Sequence, residues 1–230
     1  MTYFLIFIIL MVASLIIQKT LTSRIDKYSK VPLSSGLSGK EIAEKMLRDN
    51  GIYDVSVTSV PGMLTDHYDP TKKTVNLSQD VYSGRSIASA AVAAHECGHA
   101  VQHATAYRWL TMRSKMVPVV QFGSQFSQWV LLAGIVVLGF SNLVGRWILL
   151  IGIALFALTT LFSIITLPVE YNASERAVEW LDSTGITAGE ETAMAKDALK
   201  WAARTYLIAA ISSLATLLYY ISIFLGSNRD

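Results

Sequence analysis

Ala94-His95-Glu96-Cys97-Gly98-His99-Ala100 is a His-Glu-x-x-His motif set in an alanine-rich stretch. Residues 87–103 contain no Pro, and Ala88, Ala90, Ala91, Ala93 and Ala94 are strong helix formers, so the stretch is predicted to be α-helical. On a helix, residues four apart share a face, which lets His95 and His99 reach one metal ion. Glu96 stands beside the first of them, placed to act on water instead of binding the ion. A short motif with two free positions recurs by chance, so its meaning depends on the rest of the chain.

That chain is 52% hydrophobic over 230 residues, with a mean hydropathy of +0.43. Such a composition is too apolar for an ordinary soluble domain and points to a membrane protein. A net charge of only +2 offers no electrostatic footprint for nucleic acid. Cys97 is the single cysteine, which excludes an internal disulfide and fits a catalytic part facing a reducing compartment. Residues 2–18, 116–140, 147–169 and 205–225 lack charged side chains and approach the roughly 20 residues needed to cross a bilayer. The first reads as a retained anchor and not a signal peptide. Lys19 and Arg24 follow the apolar run instead of preceding it, and no small-residue cleavage site comes after.

Four spans put residues 19–115 and 170–204 on one side, and both termini with residues 141–146 on the other. Lys19, Arg24, Lys27, Lys30, Arg108, Arg113 and Lys115 flank the spans on the first side, against Arg146 and Arg229 on the second. The positive-inside rule then places the motif in the cytoplasm of a bacterial host. The expected parts are an anchor (1–18), a catalytic part with the motif helix (19–115), a transmembrane hairpin (116–169), a helical part supplying a third metal ligand (170–204), and a last span with its tail (205–230).

Within the catalytic part, residues 19–37 read as a polar juxtamembrane linker. Ser38-Gly39-Lys40-Glu41 is a capping box opening a small packing helix that Asn50-Gly51 closes. Residues 52–60 alternate in polarity, and residues 63–68 and 74–78 flank a turn at 69–73, which reads as a β-hairpin or meander. A short sheet beside the motif helix either covers that helix or offers an edge to an extended peptide. Gln121, Gln125 and Gln128 fall near one helix face and are expected to pack against the other spans. Further on, Thr187-Ala188-Gly189-Glu190 reads as a second capping box.

A catalytic zinc usually takes three protein ligands and leaves one position to water. One large protease group supplies the third from a His ten residues after the first, reached through a Gly. Here those positions hold Thr105 and Val101. His103 lies about 12 Å along the helix from His95, at 1.5 Å per residue, too far to share a tetrahedral ion. The third ligand is therefore expected to be a carboxylate from another helix. Glu170 is the leading candidate because two spans return the chain to the side of His95, with Glu175 and Glu179 as competitors. Cys97 is rotated about 200° from His95, away from the metal.

The combination of a His-Glu-x-x-His helix, a transmembrane hairpin and a following glutamate helix resembles the gluzincin-type membrane metallopeptidases, including the HtpX-like and CAAX prenyl protease groups. Thr65-Asp66-His67-Tyr68-Asp69-Pro70, Ala93 to Ala100 around the motif, and Pro168-Val169-Glu170-Tyr171-Asn172-Ala173-Ser174 resemble, more closely, the YugP-type neutral zinc metallopeptidases. That resemblance covers most of the chain. It implies a mainly α membrane protein, with four transmembrane helices and a small α+β zincin-like catalytic part at the membrane surface. It implies one zinc per chain held by His95, His99 and Glu170, with Glu96 as the catalytic residue. Ser174 departs from the wider pattern, which has Asp there, and Asn172 and Arg176 are the other groups able to orient the ligands. The implied function is hydrolysis of a protein or peptide substrate, membrane proteins among them, by an integral-membrane zinc endopeptidase. Zinc lowers the pKa of water and polarises the scissile carbonyl, and Glu96 moves the proton. His67, His103 and Tyr68 are candidates to stabilise the oxyanion. The competing readings are an intramembrane zinc protease, disfavoured by Asp80, Arg85, Arg108 and Arg113 bracketing the motif, and a non-catalytic membrane scaffold or chaperone.

Overall fold

A computed structural model describes residues 2–227; Arg229, counted among the flanking charges above, lies outside them. The elements in order are α1 (Thr2–Ser29), α2 (Gly39–Asp49), β1 (Ser56–Val60), β2 (His67–Asp69), β3 (Thr74–Ser78), α3 (Gln79–Ser83), α4 (Ile87–Ala104), α5 (Arg108–Leu138), α6 (Asn142–Ser183) and α7 (Glu190–Gly226). The chain is thus mainly helical with a small sheet, as expected. It divides into two compact units, one of residues 1–14, 112–167 and 206–230 and one of residues 15–111 and 168–205.

Helices α1, α5, α6 and α7 are each long and apolar enough to cross a membrane. In the first unit their large apolar side chains point outward all round, with Phe4, Phe122, Trp129, Phe140, Leu143 and Trp147 exposed. Helices apolar on every face belong in a nonpolar solvent. Their mutual packing relies on small residues: a Cβ on Gly134 would stand 2.7 Å from the Leu149 backbone, and one on Gly152 would stand 2.9 Å from Leu131. Close backbone approach at glycines is how apolar helices associate without a hydrophobic driving force between them. The Thr160 and Ser213 hydroxyls share a hydrogen bond of 2.8 Å between α6 and α7. Pro118 stands inside α5, which runs on through it.

The second unit holds the polar sequence. Ser38 caps α2 with a full capping box, its side chain taking the Glu41 N–H while the Glu41 carboxylate takes the Ser38 N–H. Gly51 adopts φ +70° after Asn50 and ends the helix as read. Ile42, Ala43, Met46 and Leu47 of α2 are buried against α4, whose Ala90, Ala91, Ala93, Ala94 and Cys97 are fully buried. The sheet has the order β1-β3-β2, with β2 antiparallel and β1 parallel to β3. The hairpin is therefore real, but β1 is not a meander neighbour. Central β3 buries Val75 and Leu77 fully, which lets a strand of only five residues anchor both partners.

Three boundaries differ from the sequence reading. Helix α1 runs to Ser29, so half of the expected linker is helical; Tyr28 at its end is buried and donates to Asp197 at 2.8 Å. Glu170 does not begin a helix, because α6 continues unbroken through Pro168 to Ser183. A proline removes one backbone donor, and long apolar helices accommodate that loss. The second capping box does not form. Gly189 takes φ +57°, α7 starts at Glu190, and the Thr187 hydroxyl bonds Thr192 at 3.0 Å instead.

Val169, Ala173, Ala177 and Leu181 recur every fourth residue of α6 and are fully buried, the stripe by which this segment joins the core. Gly98 of α4 faces it: a Cβ there would stand 2.6 Å from the Ala173 carbonyl oxygen and 3.1 Å from its Cα. Gly98→Ala should therefore force the two backbones apart. The expected loss is about 1–3 kcal/mol of stability, read as a lower melting temperature of the detergent-solubilised chain.

Candidate metal centre

Helix α4 begins at Ser86, whose hydroxyl caps it by accepting the Ser89 N–H at 3.1 Å. Its alanines bury one face, and the histidines lie along another. His95 and His99 are one turn apart, with ring centroids 4.8 Å from each other and nearly perpendicular planes. Glu170 reaches them from the buried stripe of α6, its side chain only 2% exposed. The carboxylate Oε2 lies 3.4 Å from His95 Nε2 and 3.6 Å from His99 Nε2. All three ligand atoms fall within 4.8 Å of one another.

Those spacings suit a metal ion. Donors bound about 2.0–2.1 Å from a tetrahedral zinc stand about 3.3–3.4 Å apart, close to the two imidazole–carboxylate distances. Two imidazole nitrogens and a carboxylate oxygen are also a donor set that zinc accepts. Electrostatics tie the three together. Burial by itself would raise the Glu170 pKa, but the two imidazoles outweigh it and hold the carboxyl well below the usual range. Burial would lower the His99 pKa, and the Glu170 carboxylate more than reverses that, leaving it raised.

The other predicted residues take distinct places. Glu96 is buried beside His95. Cys97 points away, its thiol against the Ala43 carbonyl at 3.5 Å, and burial pushes its pKa up. Glu175 and Glu179 are exposed, off the buried stripe. His103 does not join the cluster; its Nδ1 shares a 2.8 Å hydrogen bond with the Tyr68 hydroxyl of β2. His67 turns its Nδ1 to the Thr65 carbonyl at 2.8 Å. Burial, with Asp54 and Asp69 nearby, raises the Tyr68 pKa.

Around the cluster, Ser174 stands 3.2 Å from His95 Nδ1, and Gln102 stands 3.1 Å from His99 Nδ1. Ser174 thus occupies the place where the wider pattern has Asp. The motif and its spacing do not single out Gln102. Its signal was its position three residues after His99 in a helix, where side chains are neighbours.

Residues 3–225 match the family described as "Putative neutral zinc metallopeptidase". The chain is 45% identical over 208 residues to a Bacillus subtilis (strain 168) protein named "Putative membrane protease YugP", covering 90% of each. No solved structure matches. A match that extends across nearly all of the sequence places this chain in the neutral zinc metallopeptidase family.

Proposed function

We propose that this protein is an integral-membrane zinc metalloprotease that hydrolyses peptide bonds, with His95, His99 and Glu170 holding one zinc ion and Glu96 serving as general base. The observation that carries the reading is the convergence of two imidazoles and a buried carboxylate, from segments 75 positions apart in the sequence, with the carboxylate 3.4 and 3.6 Å from the two imidazole nitrogens. Zinc held there supplies Lewis acidity toward a carbonyl oxygen and lowers the pKa of water toward about 7.

The chain's own residues do the rest. Glu96, one position from a ligand and buried, accepts the proton of the attacking water and delivers it to the departing amine. No covalent intermediate with the protein is required. Strand β2 forms an edge of the sheet, tied to the motif helix through Tyr68 and His103. That edge offers backbone groups to an extended substrate segment, and the Tyr68–His103 pair supplies polar hydrogens beside it.

The protein sits in the cell membrane as a four-span chain, with residues 19–115 and 170–204 facing the cytoplasm and the termini opposite. The charge asymmetry across the spans supports that sidedness. Its substrates are proteins or peptides, membrane proteins among them, and the bilayer is its constant partner.

Glu96→Gln is expected to keep zinc while peptide hydrolysis falls about 10²–10⁴-fold; unchanged hydrolysis of a denatured-protein substrate would remove the general-base role. Metal analysis of purified protein should give about one zinc per chain, lost in His95→Ala and His99→Ala. Glu170→Ala should lose it too, whereas Glu175→Ala should not, and the reverse result would transfer the role. Metal and proton compete for the His99 lone pair, so zinc occupancy should begin to fall already above the ordinary imidazole value of about 6.5, given the raised pKa of that ring. A zinc affinity flat down to that pH would contradict it. Single cysteines in 27–30 and in 141–146 should label from opposite sides of sealed vesicles; labelling of both from one side rejects the four-span topology.

A further inference from the structure

Gln102 is fully buried, the only amide side chain so placed beside the metal cluster among the described residues. Its side chain makes three contacts. Nε2 donates to the Val169 carbonyl at 2.8 Å and to Asn172 Oδ1 at 3.1 Å, and Oε1 lies 3.1 Å from His99 Nδ1. Asn172 Oδ1 also accepts from Arg176 Nε at 2.8 Å.

The direction of every bond in this chain is fixed by groups that cannot reverse. A backbone carbonyl only accepts, so the amide nitrogen of Gln102 must face Val169. A guanidinium only donates, so Asn172 must present its oxygen to Arg176, and that same oxygen receives the second Gln102 N–H. The Gln102 oxygen is then left toward His99, whose Nδ1 must carry the proton. The His99 Nε2 lone pair is thereby freed on the side where Glu170 lies 3.6 Å away. A ligand histidine is usually held in this way through its second nitrogen.

His95 is held differently. Its partner is the Ser174 hydroxyl, which both donates and accepts and so imposes no tautomer. The two ligand histidines therefore differ in how firmly their metal-facing lone pairs are set.

We infer that Gln102 is the positioning residue of this site: it fixes the tautomer of His99 and joins the motif helix to the Glu170 segment through Val169 and Asn172. The inference rests on the zinc reading above. It also locks the third ligand's neighbour, Val169, to the helix that carries the other two, so one side chain aligns both halves of the donor set.

The test uses the full chain in detergent, with zinc affinity measured by competition against a chromophoric chelator. Spectra of zinc-loaded protein labelled with ¹⁵N-histidine report which ring nitrogen bears the proton; four histidines keep them resolvable. Wild type should show His99 protonated at Nδ1. Gln102→Leu should raise the zinc Kd about 10- to 100-fold and abolish the hydrogen-bonded Nδ1–H signal of His99. Gln102→Asn keeps a buried amide one carbon too short for both contacts; it should do the same, and it decides the matter if the leucine variant fails to fold. Ser174→Ala should weaken zinc less than either. A folded Gln102 variant with wild-type zinc affinity and an unchanged His99 signal overturns the assignment, as does a wild-type His99 protonated at Nε2. A wild type that binds no zinc removes the metal reading and this assignment together, whereas zinc-binding wild type beside equally tight variants removes the assignment alone.

Discussion

A carboxylate with 2% of its side chain exposed is the constraint on which the second unit is built. Taking a carboxylate out of water costs several kcal/mol unless charge and hydrogen bonds compensate it. Glu170 meets that demand against His95 and His99, and in doing so it brings residues from two remote parts of the sequence to one point. The fold arranges the approach. Alanines on α4 and the Val169–Ala173–Ala177–Leu181 stripe on α6 keep side chains short where the backbones meet, and Gly98 has no Cβ where contact is closest.

Small residues serve both units for different physical reasons. In the second unit they let a polar cluster form beside a conventional apolar core, where burial of Ile42, Met46, Val75 and Leu77 supplies the driving force. In the first, Gly134 and Gly152 let long apolar helices touch backbone to backbone, because side-chain burial gains little when the surroundings are as apolar as leucine. The Thr160–Ser213 bond belongs to the same logic, since polar groups inside apolar bundles bond to each other or to the backbone.

What could be read from the sequence followed its short-range codes. The His-Glu-x-x-His spacing, the Ser38–Glu41 capping box and the four uncharged runs are each local patterns with one mechanical meaning, and all correspond to observed elements. The failures share a cause as well. Glu170 does not open a helix of its own, because the apolar run on one side of Pro168 and the buried stripe on the other stabilise a single helix through it. Thr187 matched a capping box, but the backbone at Gly189 turned to positive φ and withdrew it. The parallel pairing of β1 with β3 depends on contacts no window of residues contains. Gln102 carried a weaker signal. Its importance comes from Val169 and Asn172, nearly seventy residues later, and only the folded chain brings them to it.

The number of donors separates a catalytic metal site from a structural one. Structural zinc sites close all four positions with protein atoms, whereas catalytic ones keep a position open. Three residues whose chemistry suits a fourth bond lie close in sequence, and each is diverted. Cys97 turns its thiol into the core against Ala43, where burial pushes its pKa up. His103 is engaged by Tyr68 one helical turn beyond His99. Glu96 neighbours a ligand but falls outside the cluster of three. Among the described residues the donor set therefore stops at two histidines and one glutamate, the count at which a bound ion would still accept a substrate oxygen. Glu96 is buried one position from His95, which is why the proposed mechanism assigns the proton transfer to it.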